Sequence, residues 1–189
     1  MLEYQDFDEE VQKELNRAAH LCADALREGK KLLFCGNGGS AEFSNHIACE
    51  FVCKLEGDRK ALNAISLCSN LALITAIAND YGFEYVFARQ LEANAQEGDI
   101  LFCISTSGKS PNVLEACKKA KELGVITIGM CGAINNKLNR LADVVIPSVG
   151  TTAKIQEHQL VLGHRIVSRV EELLGVFETS GANVRNKGL

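Results

Sequence analysis

No Cys-x-x-Cys pair occurs anywhere in this chain, although it holds eight cysteines. That spacing marks zinc ribbons and thioredoxin-like redox sites, so neither has support. Prolines number only two, which sets the chain apart from proline-rich disordered sequences. Basic blocks are missing as well. The formal net charge is −4, and a cluster such as "CKKAKE" reads as the solvated face of a helix, so the sequence offers no nucleic-acid surface. No apolar run approaches the roughly 20 residues of a membrane span. The opening "MLEYQDFDEEVQ" is acidic, unlike a signal peptide. The expected setting is the cytoplasm, with no nucleic-acid or membrane partner.

What remains describes one ordinary globular domain. The chain has 189 residues, 47% hydrophobic and 23% charged, enough to bury a core without covalent staples. A single domain is expected over residues 1–176, followed by a polar tail at 177–189. Cys35, Cys103 and Cys131 lie in or at the end of apolar runs ("LLFC", "ILFCIS", "ITIGMC") and read as free, buried thiols in a reducing compartment. Cys49 and Cys53, four residues apart, are also expected to pack in the core.

The hydrophobic pattern alternates between two periods. Helical spacing runs from about Asp8 to Glu28 and stops at Gly29. "KLLFC" reads as a buried strand, Ser40 to about Cys53 as a helix, "LNAISL" as a second strand and "NLALITAIAN" as a helix. "EYVFARQLEANAQ" is expected to be helical and "DILFCIS" a third strand. "SPNVLEACKKAKELG" is a helix with Ser110 as N-cap and Pro111 in its first turn. "VITIGMC" and "ADVVIPS" complete the strands, joined by the short stretch "GAINNKLNRL", and a long helix spans Thr152 to Leu174. Continuous apolar strands separated by helices imply an α/β fold, a doubly wound parallel sheet covered on both faces. In such sheets ligands bind beyond the carboxyl ends of the strands.

Two stretches sit at such ends. "CGNGGS" follows the first strand and leads into a helix; its glycines allow close backbone approach, and helix N-terminal amides offer donors to an anion. A simple tight turn explains this loop about as well. "CISTSGKS" follows the third strand and supplies four hydroxyls, Ser105, Thr106, Ser107 and Ser110, ahead of another helix. A turn and a cap account for one or two of them. Four at one strand end favour a phosphate-bearing ligand.

Behind the first loop, His46 and Glu50 stand one helical turn apart on one face. On the last helix, Gln156 and His164 are eight residues, about two turns, apart and share a face, while His158 and Gln159 point elsewhere. Imidazole, carboxylate and amide groups suit a divalent metal such as zinc. Glu50 and His164 suit a general base and acid equally well.

Taken together, "CGNGGSAEFSNHIACEF", "AIANDYGFEYVFARQ", "ISTSGKSPNV" and "KIQEHQLVLGH" resemble the sugar isomerase (SIS) domain family, and within it the phosphoheptose isomerases. Agreement extends from Lys30 to Leu173. The resemblance implies a flavodoxin-like five-stranded parallel sheet with an N-terminal helix and a long C-terminal helix. It also implies a homotetramer with active sites between subunits. The implied reaction interconverts sedoheptulose 7-phosphate and D-glycero-D-manno-heptose 7-phosphate through an enediol, for surface heptoses. Its phosphate shell falls on Ser40, Ser105, Thr106, Ser107 and Ser110, and its sugar contacts on Asn37, Gly38, Gly39, Asn79 and Asp80. The implied metal set, commonly zinc, is His46, Glu50, Gln156 and His164. Glu50 and His164 are also the implied base and acid, and Glu50 and Gln156 meet the substrate too. The family commonly has an acidic residue where this chain has Ala153. Non-catalytic relatives bind a replication initiator or sense sugar phosphates; the first of these types lacks the glutamate and the last histidine, and this chain has both.

Overall fold

The computed structural model describes residues 7–132 and 135–176. Helix α1 (Glu9–Arg27) begins at Asp8, whose carboxylate accepts the Val11 amide at 2.8 Å and so satisfies one of the unpaired donors of the first turn. The strands are β1 (Leu32–Cys35), β2 (Ala64–Ser66), β3 (Ile100–Ser105), β4 (Ile126–Gly132) and β5 (Val144–Ser148), all parallel, in the order β2-β1-β3-β4-β5. This is the flavodoxin-like order, with its direction of winding reversed between β1 and β3. The expected doubly wound five-stranded sheet is what the chain forms.

Side chains along a strand alternate between faces. Leu32 and Phe34 of β1 join a core with Leu15 of α1, Phe51 of α2 (Gly39–Val52) and Ile166 of α7 (Thr152–Leu174). Leu33 and Cys35 point the other way. They pack with Ile77 of α3 (Leu71–Asp80), Leu91 of α4 (Ala88–Asn94), Val113 of α5 (Pro111–Glu122) and Leu138 of α6 (Lys137–Leu141). Phe34 stacks between Phe102 and Phe51, with ring centroids 4.7 and 6.0 Å away. Fully burying such a ring contributes roughly 1.5–3 kcal/mol.

Three local expectations are corrected. The stretch from Glu84 to Gln96 is not one helix: a 3₁₀ turn (Phe83–Tyr85) precedes α4, the Tyr85 and Val86 amides bonding three residues back to the Gly82 and Phe83 carbonyls rather than four. The stretch after β4 contains α6, begun by Asn136, whose side chain accepts the Asn139 amide. Cys49 and Cys53 do not pack in the core but face solvent, since α2 buries Ser40, Ser44, Ile47, Ala48 and Phe51 instead. Cys35, Cys103 and Cys131 are buried and free as expected. The polar tail expected at 177–189 lies outside the described residues.

Candidate active site

The two loops meet where the winding reverses. The first, Gly36–Gly39, leaves β1 and starts α2 on one face of the sheet; the second, Thr106–Ser110, leaves the adjacent β3 and starts α5 on the other. A reciprocal amide pair ties them. Asn37 donates to Asn112 Oδ1 at 2.8 Å, and Asn112 donates back to Asn37 Oδ1 at 2.7 Å. Asn112 is 1% exposed, so the pair is a fixed strut rather than a surface contact. Sequence reasoning singled out Asn37 but missed Asn112, whose only signal was an amide in the first turn after Ser-Pro.

Both loops depend on glycine. At Gly36 a Cβ would stand 2.7 Å from the Ser40 carbonyl oxygen, and Gly38 has φ 53°, in the left-handed region. Ser105 is buried, Thr106 and Ser110 are half-buried, and Ser107 is exposed. Ser110 stands at the N-cap of α5, yet its hydroxyl makes no capping bond; it lies 3.0 Å from the Ser105 hydroxyl instead. Ser107 accepts the Lys109 amide at 3.2 Å, the bond of a turn. Capping therefore does not explain Ser110. A pair of facing hydroxyls above a helix N-terminus can turn toward an anion.

The acid–base groups gather where α2 and α7 run against each other. Gly163 sets their approach: a Cβ there would lie 2.7 Å from both Ile47 Cδ1 and Phe43 Cζ. The adjacent His164 meets His46 with Nε2 to Nε2 at 2.8 Å, and Glu50 Oε1 is 3.7 Å from His46 Nε2. A nitrogen-to-nitrogen hydrogen bond needs one N–H and one bare nitrogen, which neutral imidazoles provide. Desolvation first, and then the facing His46, push the pKa of His164 below its ordinary value, against an opposing pull from Glu50. His164 also borders a groove of about 250 Å³ formed with Leu55, Glu56 and Ser168 among others.

Gln156 does not join this cluster. Its side chain packs over Gly39, at the start of α2 and beside the phosphate loop. Eight residues of α7, about 12 Å of helix, separate it from His164. Among the described residues no hydrogen bond or ion pair joins it to His46, Glu50 or His164. Asn79 and Asp80 end α3 exposed and bonded to each other at 2.7 Å, and among the described residues neither side chain hydrogen-bonds to either loop. Ala153 is exposed in the first turn of α7, and Gln159 points inward to the Met130 carbonyl.

A divalent cation fits this donor set in kind: two imidazole nitrogens and a carboxylate oxygen. Two nitrogens on a tetrahedral zinc ion are about 3.3 Å apart. The 2.8 Å between His46 and His164 must open by about half an ångström to match. Among the described residues no three His, Cys, Asp or Glu side chains already stand as a metal cluster.

The family model for the SIS domain matches residues 3–132. A phosphoheptose isomerase from Nitratiruptor sp. is 45% identical over 178 residues, covering 91% of this chain and 95% of that protein. Among solved structures, the phosphoheptose isomerase GmhA from Neisseria gonorrhoeae superposes with a TM-score of 0.79 at 36% identity, covering 85% of this chain and 86% of that one. A phosphoheptose isomerase from Francisella tularensis gives 0.81 at 32% identity over the same shares. With the model spanning more than half of the chain and relatives of this identity matching along nearly all of it, the chain belongs to the SIS domain family.

Proposed function

We infer that this chain is an aldose–ketose isomerase that converts sedoheptulose 7-phosphate to D-glycero-D-manno-heptose 7-phosphate, supplying heptose for surface polysaccharide. The likeness to phosphoheptose isomerases along almost the whole chain supports the reaction. The observation that carries it is the placing of Glu50 beside His46 and His164, on two helices packed together.

The phosphate binds first, far from the reacting carbons. Ser40, Ser105, Thr106, Ser107 and Ser110 surround it, with the amides at the start of α2 and α5 as donors. Asn37, Gly38, Gly39 and Gln156 line the sugar chain, and Asn79 and Asp80 meet its hydroxyls. That anchoring orients C1 and C2 for proton transfer. Glu50 takes a proton from C1 of the ketose and returns it to C2. His164 accepts the proton leaving the C1 hydroxyl and delivers one to the oxygen on C2. The product is the aldose, and no atom is gained or lost. A neutral His164 is the form able to accept, and its lowered pKa keeps it neutral near pH 7.

His46, Glu50 and His164 would hold a divalent ion, zinc by donor type, and Gln156 would complete the set by turning its side chain from Gly39 toward them. Bound there, such an ion supplies Lewis-acid polarisation of the substrate's carbonyl and hydroxyl oxygens. We further propose that the protein works in the cytoplasm as a homotetramer. The apolar surface left open by one chain supports assembly: Leu71 is 72% exposed, Tyr81 56% and Phe83 54%. Among the described residues no helix is long and apolar enough to cross a membrane.

The test is Glu50→Gln, which keeps size and hydrogen-bonding reach but removes the base. Turnover should fall on the order of 10²–10⁴-fold. Exchange of the C1 proton with solvent deuterium, followed by NMR, should stop. Normal exchange in that variant places the base elsewhere. Wild-type protein that neither turns over nor exchanges any sugar phosphate is a binding module instead. Elemental analysis checks the metal: His46→Ala should lose a bound divalent ion and stay folded.

A further inference from the structure

A second contact between α2 and α7 lies below the His46–His164 pair, and none of the site chemistry accounts for it. Arg59, in the segment after α2, has a side chain with 0% exposure. Its Nε donates to Glu171 Oε1 on α7 at 2.5 Å, and the Glu171 side chain is 1% exposed. The other arms of the fork go to backbone. Nη2 donates to the Glu50 carbonyl at 2.7 Å, and Nη1 donates to the carbonyls of Phe51 and Lys60 at 2.8 and 3.1 Å.

Each partner has a physical meaning. The Glu50 and Phe51 carbonyls belong to the last turn of α2, where helix carbonyls lack intrahelical partners and a cation is favoured. One of them is the carbonyl of the residue that carries the base. Glu171 stands seven residues, about two turns, after His164 on the same helix. A single planar guanidinium thus spans the backbone that carries Glu50 and the helix that carries His164. Lysine has no fork with which to do this.

Stability is a poor reason for such a pair. Glu171 Oε2 is buried and has no hydrogen-bond partner among the described residues. A buried ion pair left half-satisfied is commonly matched or bettered by apolar side chains of similar volume. What apolar side chains cannot do is hold two carbonyls and a carboxylate in one fixed geometry. We propose that Arg59, acting through Glu171, is a positioning residue for the isomerisation. It sets the height and angle of Glu50 against His164. The proposal rests on the reading of Glu50 and His164 as base and acid.

The test is the double variant Arg59→Met with Glu171→Leu, which replaces the pair by apolar volume and leaves neither charge stranded. Its melting temperature should stay close to that of the parent. The KM for sedoheptulose 7-phosphate should change less than about twofold, because the phosphate loops are tied separately through Asn37 and Asn112. By contrast kcat should fall on the order of 10–100-fold, the scale of a misplacement near 1 Å. Arg59→Lys is the second variant. It keeps the charge opposite Glu171 but loses the fork, and it should show the same kcat loss with the fold retained. Wild-type kcat in a folded double variant, or in Arg59→Lys, overturns the proposal. So does a kcat loss that merely tracks the folded fraction. Glu50→Gln runs alongside. If Glu50→Gln is inactive while the double variant is normal, the positioning role fails alone. If Glu50→Gln turns over normally, the base assignment fails and the proposal with it.

Discussion

Substituting Gly163 by alanine sets two effects of known size against each other. In the middle of a helix the change should stabilise by roughly 1 kcal/mol, because glycine loses more backbone freedom on folding. The new Cβ, however, would stand 2.7 Å from Ile47 Cδ1 and from Phe43 Cζ. Ordinary carbon contacts are about 3.5–4.0 Å, so the overlap is close to 1 Å. Ile47 is 2% exposed and has nowhere to go; the half-buried Phe43 ring can turn outward. Overpacking of this kind costs about 1–3 kcal/mol. The net loss is then between zero and about 2 kcal/mol, a fall in melting temperature of at most about 8 °C for a chain of this size. Activity should suffer far more. Relief of the overlap moves α2 away from α7 beside the His46–His164 contact, and a displacement near 1 Å can cost about 10²-fold in turnover. Thermal unfolding and steady-state kinetics on one preparation give both quantities. A Gly163→Ala protein that is more stable than its parent and equally active would refute the argument.

The remaining predictions concern the loops and the histidine pair. Asn112→Ala leaves the Asn37 amide without its reciprocal partner and should raise the KM for the sugar phosphate about tenfold, the effect of roughly 1.4 kcal/mol; steady-state kinetics with an unchanged KM would show that the strut is idle. Ser110→Ala should raise KM by about 10–150-fold for a lost bond of roughly 1.5–3 kcal/mol to a charged group, while thermal stability stays level because Ser110 caps nothing; a stability loss with normal KM would restore the capping explanation. In metal-free protein, an NMR titration of His164 should give a pKa below the ordinary value of about 6.5. The folded state then binds fewer protons than the unfolded one just below that pH, so stability should decline as pH falls through about 6.5 and below; a pKa above 6.5 would contradict the desolvation argument.

How much of this was open to reading from residue order depends on the range of each interaction. Strand identity was legible because the central strands of this sheet are buried on both faces, as "ILFCIS" is, and so appear as unbroken apolar runs, while the edge strand β2 leaves Ile65 exposed. The helix of His46 and Glu50 was legible too, since contacts one turn apart are set by helix geometry alone. For Gln156 and His164 the same rule fixes less. Two turns on one face says that two side chains share a side, but not that they share a partner, and α2 presents Gly39 to one and His46 to the other. Cys49 and Cys53 show the complementary failure: thiols are apolar enough for a core, yet which arc of α2 faced inward was decided by the sheet it packed on.

Residue order by itself therefore determined the parallel sheet, the glycine-rich and hydroxyl-rich loops at neighbouring strand ends, and the helices that carry the acid–base groups. All of these follow from burial period, turn chemistry and helical spacing, which act over a few residues. Tertiary structure alone decided which groups from distant segments meet: Asn37 with Asn112, His46 with His164, and Arg59 with Glu50 and Glu171. These partners are 75, 118, and in the last case 112 residues apart for the ion pair. Nothing local links such positions. They are joined only when the sheet has set its strand order and the helices have packed on its faces at distances that a single glycine, Gly163, helps to set.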